Sequence, residues 1–235
     1  MASPNTYSPA WFEHFHEGIP ETRTAQEVAF VVQHCPLPAF PRVLDVCCGM
    51  GRHARALAGM GYTVTGFERD SHAIAIAREK AGGPVYLEGD IREYHPPVAD
   101  SDAVLILSQS FGYFDPQTNL GILRRLGEAL RPGGHLILDL WSPEFFRTRQ
   151  GEHRFQLPIG EVLETKLMEG DRLFTRLDYP DGGNDAFEFQ TFTSMQMAEF
   201  ARAAGLALME ACSDFDSSVP PSGDRPKVQY VLVRT

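Results

Sequence analysis

The sequence lacks the features of a membrane-spanning or secreted protein. No apolar run reaches the roughly 18 residues that a membrane-spanning helix needs. The N-terminal segment contains no basic stretch followed by an apolar block, so we expect no signal peptide. The chain of 235 residues has four cysteines, and none of them forms a CxxC pair. These absences favour a cytoplasmic protein with reduced thiols and no metal site.

Positive charge is also scarce. There are 21 lysine and arginine residues against 31 acidic ones, and the formal net charge is −10. A protein that binds DNA or large RNA needs a cationic surface to displace the counterions of the phosphates. We therefore expect no nucleic-acid partner, and the favoured substrate is a small molecule or an exposed group on another protein. The content of 43% hydrophobic and 22% charged residues is ordinary for a globular protein with one large core.

Short apolar runs alternate with helical segments between residues 42 and 141. The strand patterns are RVLDVC, TVTGF, VYLEG, DAVLILS and HLILDLW. One helix is predicted to be capped by Ser71 and to run to about Ala81, and another to start at Asp115 and to include Leu130. This alternation predicts an α/β fold with a doubly wound, mostly parallel sheet that has helices on both faces.

The segments that flank this region have different patterns. Residues 8–17 and 21–34 show helical spacing of apolar side chains and precede a proline-rich connector, so residues 1–41 are predicted to form an N-terminal helical lid. Residues 42–235 form the main domain. Within it, residues 152–192 are predicted to form a small antiparallel β insert from three strand-like runs, of which the last two are joined by the turn PDGGND.

One helix and two strands are predicted after the insert. Thr193 and Gln196 can form a capping box at the start of the helix, and Gly205 ends it. The strands are LALMEAC and KVQYVLVR, separated by a long loop rich in turn-forming residues. They extend the predicted sheet rather than form a separate domain.

Acidic residues follow three successive strands of the predicted sheet. Asp45 closes the first strand, and Gly49 and Gly51 then allow the backbone to turn tightly and approach a ligand. Glu68 closes the second strand, 19 positions after Gly49, where an acid can accept hydrogen bonds from two ribose hydroxyls. Asp90 follows the third strand and can accept from an adenine amino group. Ligands of open α/β sheets bind outside such strand ends, so the pattern predicts an adenosyl-ligand site.

With these motifs the chain resembles the Rossmann-like S-adenosylmethionine-dependent methyltransferases, and in detail their bacterial small-molecule members. The first motif of that family is DxGxGxG, and this sequence reads DVCCGMG, so that Cys47 stands at the first glycine position. The segments WFEHF, SFGYF and LRPGG occur in the order typical of those enzymes. The resemblance implies a seven-stranded sheet whose last strand is antiparallel, with S-adenosylmethionine as cofactor.

The resemblance also implies which residues hold the cofactor. Four residues match the turn around its methionine part: Asp45, Cys47, Gly49 and Gly51. Glu68 matches the ribose acid and Arg69 flanks the adenine, while Asp90 and Ile91 match the adenine edge. Leu107 and Ser108 match the strand end near the cofactor's amino group. Cys47 departs from the pattern and is tolerable if its φ is negative, and Glu68 replaces the more usual aspartate.

Methyl transfer to an oxygen or nitrogen of a small acceptor needs alignment and exclusion of water more than a dedicated catalytic residue. Tyr113 is the candidate catalytic residue because its hydroxyl can hydrogen-bond an acceptor. The candidate substrate-binding residues are Gln109, Ser110, Tyr113, Trp141 and Arg176. The aromatic side chains Tyr7, Trp11 and Phe12 are predicted to fold over the cofactor, with His14 and His16 as distant candidate bases. The insert caps the acceptor site or contributes to a homodimer.

Two other functions fit parts of the pattern. An NAD-dependent oxidoreductase explains GMGRHA as GxGxxA but leaves Asp45 and Asp90 without a role. A non-catalytic protein that binds an adenosyl ligand would use the same strand ends. Cys47 and Cys48 are interpreted as small residues of a turn, because no second cysteine or histidine pair lies at zinc spacing. His53 and His135 are interpreted as structural, although the role of His53 stays open.

Overall fold

The structure is a computed structural model that describes residues 5, 8, 11, 15, 18–80 and 82–235. Its helices are α1 (Glu21–His34), α2 (Arg52–Gly59), α3 (Ser71–Glu79), α4 (Pro116–Ala129), α5 (Pro143–Arg147) and α6 (Ser194–Ala203). Its strands are β1 (Arg42–Val46), β2 (Thr63–Glu68), β3 (Val85–Glu88), β4 (Ser101–Ile106), β5 (Leu130–Trp141), β6 (Gly151–Leu157), β7 (Gly160–Glu169), β8 (Arg172–Asp178), β9 (Asn184–Gln190), β10 (Leu206–Cys212) and β11 (Lys227–Arg234). In these ranges, no helix combines the length and apolarity that crossing a membrane requires.

Seven strands form the main sheet in the order β10-β11-β5-β4-β1-β2-β3. The pairs β1–β2, β1–β4, β2–β3 and β4–β5 are parallel. Strand β11 runs antiparallel to both of its neighbours, β5 and β10. The prediction of a mostly parallel seven-stranded sheet with an antiparallel last strand is confirmed.

Apolar side chains cover both faces of this sheet. On one face α4 and α6 pack through Leu123 and Met197 against strand residues that include Leu138. On the other face α1, α2 and α3 pack, and Leu57 and Ile74 are fully buried there. Because burial of such side chains on both faces stabilises a parallel sheet, the doubly wound arrangement follows directly. The carboxyl ends of β1, β2 and β4 consequently open at one edge.

Two helix boundaries differ from the sequence-based prediction. The residue that caps α3 is Asp70, whose carboxylate accepts a hydrogen bond from the Ala73 amide at 2.8 Å, rather than Ser71. Asp and Ser are about equally good caps, so local sequence could not choose between adjacent residues. Helix α4 ends at Ala129, because Leu130 already has extended backbone geometry and begins β5. Asp115 caps α4 with proline at its first position, as predicted.

The capping box at the start of α6 is confirmed and allows a direct test. The Thr193 hydroxyl accepts a hydrogen bond from the Gln196 amide, and the Gln196 side-chain oxygen accepts one from the Thr193 amide. Thr193→Ala should lower the free energy of unfolding by about 1 kcal/mol, because one amide at the helix start loses its partner. Chemical denaturation checks this against Met195→Ala, whose side chain is 73% exposed. An equal loss in both variants would contradict a capping effect.

The insert contains four antiparallel strands, β6 to β9, rather than the three strand-like runs recognised in the sequence. The hairpin predicted at PDGGND joins β8 to β9, and the Tyr179 amide donates to the Gly183 carbonyl at 2.9 Å. Strand β6 is an edge strand with mostly exposed, polar side chains. It lacks an apolar pattern because pairing with β7, and not burial, holds it in place.

The N-terminal prediction is only partly within the described residues. Helix α1 has the predicted bounds. Trp11 and Phe15 are helical, with ring centroids 6.1 Å apart, and they pack against the insert, where Trp11 lies 6.0 Å from the Phe187 ring. Tyr7, Phe12, His14 and His16 lie outside the described residues.

Candidate cofactor and acceptor site

A cavity of about 1140 Å³ lies at the carboxyl ends of the parallel strands. Eleven of the residues predicted for the site line it: Asp45, Cys47, Gly49, Glu68, Arg69, Asp90, Ile91, Leu107, Ser108, Ser110 and Tyr113. Four predicted residues are not among its walls: Gly51, Gln109, Trp141 and Arg176. Residues far apart in the chain thus meet at one place because parallel strands end at the same edge.

The turn after β1 has three residues with left-handed backbone geometry. Cys47 has a φ of 58°, Gly49 of 53° and Gly51 of 75°. The condition that would make Cys47 readily tolerated, a negative φ, is therefore not met: this turn needs the glycine-like conformation, and a side chain there costs roughly 1–2 kcal/mol. The Cys48 amide donates to the Phe67 carbonyl at 3.1 Å and so fixes the turn to β2. The strain lies directly at the cavity wall.

The cysteines of this turn are not arranged for metal or redox chemistry. All four cysteines of the chain are free. Burial and the negative field of Glu68 raise the pKa of the Cys47 thiol well above its usual range, so the thiol stays protonated. Among the described residues, no three His, Cys, Asp or Glu side chains are grouped to hold a metal ion. The Cys48 thiol instead donates a long hydrogen bond to the Gly49 carbonyl at 3.7 Å.

Three backbone amides hold the Glu68 carboxylate at the end of β2. Its Oε2 accepts from the Gly49 amide at 3.0 Å, and its Oε1 accepts from the amides of Arg69 and Asp70 at 2.8 and 2.9 Å. A carboxylate has about four acceptor positions, and the amides occupy three of them, so the group can still accept one hydrogen bond from the cavity side. The carboxylate therefore joins the β1 turn to the β2 end with a fixed orientation.

Asp90 lies in the cavity wall close to the end of β2, because the preceding Gly89 amide donates to the Glu68 carbonyl at 2.9 Å. Its carboxylate is bidentate with Arg92, and the shortest of these contacts is 2.6 Å, from the Arg92 Nη2 to Oδ2. Those hydrogen bonds from Arg92 hold the pKa of Asp90 below its usual value. The Arg92 guanidinium in turn lies 5.1 Å from the Phe114 ring centre. The carboxylate is consequently ionised and oriented as a hydrogen-bond acceptor at an apolar wall formed with Phe114 and Ile91.

Asp45 is the buried acid of the site. It is 1% exposed, and its Oδ2 atom has no hydrogen-bond partner among the described residues although it lines the cavity. Burial raises its pKa to about 6, against the opposing influence of the nearby His53 and Arg52. An unpaired buried carboxylate oxygen is costly, so this atom calls for a donor from the cavity. The three carboxylate acceptors therefore fit a ligand with an ammonium group at this end and a ribose and adenine further along.

The raised pKa of Asp45 predicts how binding of an adenosyl amino acid depends on pH. A cationic donor favours the ionised carboxylate, so binding lowers the pKa and releases a proton below pH 6. The affinity for S-adenosylhomocysteine should therefore fall as the pH is lowered through about 6, by up to about tenfold per unit. Calorimetry between pH 5 and 7.5 measures this. The Asp45→Asn variant should bind more weakly and lose this dependence; an unchanged pH profile in that variant would contradict the role of Asp45.

Sequence reasoning missed the residue that explains His53. Glu27 of α1 is 1% exposed, and its Oε2 lies 2.7 Å from His53 Nε2 and also accepts from Arg52. His53 is thus a structural partner of a buried carboxylate. The available signal was a glutamate on the apolar face of α1, next to Val28. His135 contacts the His34 carbonyl at 2.8 Å, away from the cavity walls.

Ser110, Tyr113 and Trp11 line another part of the cavity. The Tyr113 ring packs edge-on against Phe189 of the insert at 5.6 Å, so the insert positions this tyrosine. The Tyr113 carbonyl accepts a hydrogen bond from the Asn5 side chain at 3.1 Å. Residues from three distant parts of the chain therefore form this wall.

The predicted substrate residues outside the walls have other contacts. Gln109 is buried; its side-chain oxygen accepts from the Trp141 amide and its Nε2 donates to the Phe111 carbonyl at 3.2 Å. The Trp141 ring packs edge-on against Phe146 at 5.3 Å. Arg176 is bound by Asp178 of the same strand at 2.6 Å and lines a separate, smaller hollow on the insert. The structure thus brings Ser110 and Tyr113 to the site, but not these three.

A family model described as a methyltransferase domain matches residues 43–134. The dTDP-3-amino-3,6-dideoxy-alpha-D-glucopyranose N,N-dimethyltransferase of Streptomyces fradiae is 35% identical over 124 residues, which are 52% of this chain and 48% of that protein. The chain spans less than half the length of the curated relatives that it matches.

Solved structures share the fold over nearly the whole chain. An S-adenosylmethionine-dependent methyltransferase from Clostridium acetobutylicum has a TM-score of 0.78 at 13% identity, covering 95% of this chain and 96% of that one. CalS10, an amino pentose methyltransferase from Micromonospora echinaspora involved in calicheamicin biosynthesis and solved with S-adenosylmethionine bound, has a TM-score of 0.71 at 22% identity over the full length of both chains. At such identities the likeness concerns the fold.

The strand order and the family match point to the same class of protein. Residues 43–134 match a methyltransferase-domain model, and the chain has the Rossmann-like fold seen in S-adenosylmethionine-dependent methyltransferases. The resemblance indicated by the sequence motifs is confirmed. The cofactor of that class is S-adenosylmethionine, and the carboxylate acceptors of the cavity fit its hydrogen-bond donors.

Proposed function

We propose that the protein transfers a methyl group from S-adenosylmethionine to a nitrogen of a small molecule that carries an amino group. The observation that carries the proposal is the single cavity in which Asp45, Glu68 and Asp90 meet, with one buried oxygen of Asp45 left for a donor. A dinucleotide-binding site has no role for an unpaired carboxylate that precedes the glycines. An adenosyl amino acid has hydrogen-bond donors for all three carboxylates.

The residues of the cavity would divide the binding as follows. Asp45 faces the ammonium group, Glu68 accepts from a ribose hydroxyl, and Asp90 accepts from the adenine amino group. When bound, the cofactor supplies an electrophilic methyl group and a good leaving group. The protein contributes alignment and the exclusion of water, for which Trp11, Phe67 and Phe114 provide apolar walls.

A nitrogen acceptor is favoured over oxygen by the relatives. The name of the Streptomyces fradiae relative specifies an N,N-dimethyltransferase of an amino sugar nucleotide, and that of CalS10 specifies an amino pentose. A neutral amine is itself a nucleophile, so it needs orientation more than activation, whereas a hydroxyl needs a base. Ser110 and Tyr113 offer hydroxyl groups for such orientation. Gln109, Trp141 and Arg176 would act on the acceptor only indirectly.

Two measurements test the proposal. Calorimetry with S-adenosylmethionine, S-adenosylhomocysteine and NAD should give binding of the two adenosyl ligands, and binding of NAD alone would favour the oxidoreductase. A screen of amine and hydroxyl acceptors should then give a product that carries one additional methyl group on nitrogen. Mass spectrometry of the products measures this. Methylation of hydroxyls only would move the proposal to oxygen. Adenosyl binding without transfer to any acceptor would favour the non-catalytic sensor.

Tyr113 is proposed to orient the acceptor with its hydroxyl group. Tyr113→Phe should lower kcat/KM for the acceptor about tenfold, the effect of one hydrogen bond of about 1.4 kcal/mol, while the affinity for S-adenosylhomocysteine stays unchanged. Tyr62→Phe is the control, because the Tyr62 hydroxyl donates to the Cys35 carbonyl at 2.8 Å and does not line the cavity. Wild-type kinetics of Tyr113→Phe would remove Tyr113 from both hydrogen bonding and proton transfer.

A further inference from the structure

Helix α1 contributes a buried carboxylate, that of Glu27, which contacts the residues directly after the glycine turn that follows β1. The Oε2 atom of Glu27 accepts hydrogen bonds from His53 and Arg52, the first two residues of α2, which begins directly after Gly51. Its Oε1 accepts from the half-exposed Arg23 at 3.0 Å. One side chain of α1 therefore holds the start of α2, where the glycine turn ends.

Arg52 extends this connection across the cavity wall. Its Nη1 also donates to the Thr24 hydroxyl at 3.0 Å, and its Nη2 donates to the Ser108 hydroxyl at 2.9 Å. The Arg52 side chain is only 17% exposed and lines the cavity. A single guanidinium thus joins α1 to the end of β4, and a planar, always charged group suits such a fixed bridge.

Ser108 needs such support because its backbone is strained. Its φ of 57°, followed by 60° at Gln109, places two consecutive side chains in the left-handed region. The Ser108 amide is fixed by the buried Asp139 carboxylate at 3.1 Å, and Asp139 is itself bound to Lys227 at 2.5 Å. Among the described residues, Arg52 is the group that donates a hydrogen bond to the Ser108 hydroxyl. The position of this side chain at the cavity therefore depends on Arg52.

The charge of Glu27 is what fixes Arg52. Burial would raise the pKa of Glu27, but the hydrogen bonds from His53 and Arg52 outweigh it and hold the pKa well below the usual range. An ionised, almost fully buried carboxylate binds both donors strongly and in a defined geometry. A neutral amide of the same shape would keep the packing and lose most of this restraint.

We propose that Glu27 is a positioning residue of the adenosyl site: through Arg52 it sets the Ser108 hydroxyl, and with His53 it fixes the start of α2 against the glycine turn. The inference rests on the proposed function, because the ligand that reports on it is an adenosyl ligand. It differs from a role in folding alone, since α1 has a second polar anchor. His34, in the last turn of α1, lies 3.0 Å from Glu210 of β10.

The test measures S-adenosylhomocysteine affinity and thermal unfolding together. Glu27→Gln should weaken binding about tenfold, and Ser108→Ala about threefold in the wild-type background, effects of charged and neutral hydrogen bonds. In the Glu27→Gln background, Ser108→Ala should add nothing, because the two act in one chain of contacts. Glu210→Gln is the matched control: it removes the other carboxylate that binds α1 and should lower Tm without changing affinity.

Each other outcome has a defined meaning. Unchanged affinity in Glu27→Gln, equal weakening in Glu210→Gln, or independent effects of Glu27→Gln and Ser108→Ala would overturn the proposal. If Glu27→Gln does not fold, Arg52→Gln replaces it in the same cycle, and independence from Ser108→Ala again overturns the positioning role. Failure of the wild-type protein to bind S-adenosylhomocysteine would overturn the proposed function itself and is distinguishable from all of these results.

Discussion

Glu68→Ala should reduce the affinity for S-adenosylhomocysteine by about 100-fold. A hydrogen bond from a ribose hydroxyl to this charged acceptor contributes about 1.5–3 kcal/mol, and the roughly 2.7 kcal/mol that corresponds to this factor lies in that range. The substitution also leaves the amides of Gly49, Arg69 and Asp70 without their acceptor, so the turn that faces the ligand loses its restraint. Calorimetry at pH 7.5 measures the loss.

Glu88→Ala is the matched control for this experiment. Glu88 is paired in register with Glu68 at the end of the neighbouring strand, but it does not line the cavity and its nearest ion-pair contact, Arg78, is 4.0 Å away. The Glu88→Ala substitution removes one negative charge from the same edge of the sheet as Glu68→Ala does. An equal fall in affinity for both variants would mean that general electrostatics, and not ribose recognition, accounts for the role of Glu68.

Gly51→Ala should lower the free energy of unfolding by about 2–4 kcal/mol. The φ of 75° costs any L side chain roughly 1–2 kcal/mol, and the added Cβ would lie within 2.3 Å of the Tyr86 hydroxyl oxygen. Something in the turn must therefore move, and affinity for the adenosyl ligand should fall with it. Urea denaturation and calorimetry measure the two effects.

Two further variants separate the causes of that loss. Gly59→Ala, in α2, meets no atom within 4 Å and has no left-handed φ, so it should be neutral or stabilising by about 0.5–1 kcal/mol. Tyr86→Phe removes the nearest clashing atom and should restore part of the stability of Gly51→Ala. Equal stability of Gly51→Ala and Gly59→Ala would contradict a left-handed backbone conformation at Gly51.

Local chemistry made much of the fold predictable. The alternation of strands and helices, the Asp115–Pro116 start, the Thr193–Gln196 capping box and the PDGGND hairpin depend on neighbouring residues, and all four are confirmed. The edge strand β6 was missed because its side chains are exposed and only its pairing with β7 defines it. Strand content without burial has no periodic signal in a sequence.

The candidate site also has features that the sequence predicts and features that it does not. The acids at strand ends were predictable, because the order of strands brings their carboxyl ends together. The partner of His53 was not, since Glu27 lies 26 positions away on another helix. The turn geometry at Cys47 was also beyond the sequence, because a cysteine does not by itself indicate a positive φ.

The sequence by itself determined the class of fold, the positions of Asp45, Glu68 and Asp90, and the likeness to a methyltransferase, since each depends on residue type and short spacing. Only the tertiary structure decided which side chains share the cavity, leaving Gln109, Trp141 and Arg176 outside its walls and bringing Arg52 and Phe67 to them. It also showed that His53 lies at the cavity wall and pairs with the buried Glu27 carboxylate. The physical reason is that a hydrogen bond or a cavity wall depends on distances between segments, which packing of the whole chain sets and no local pattern encodes.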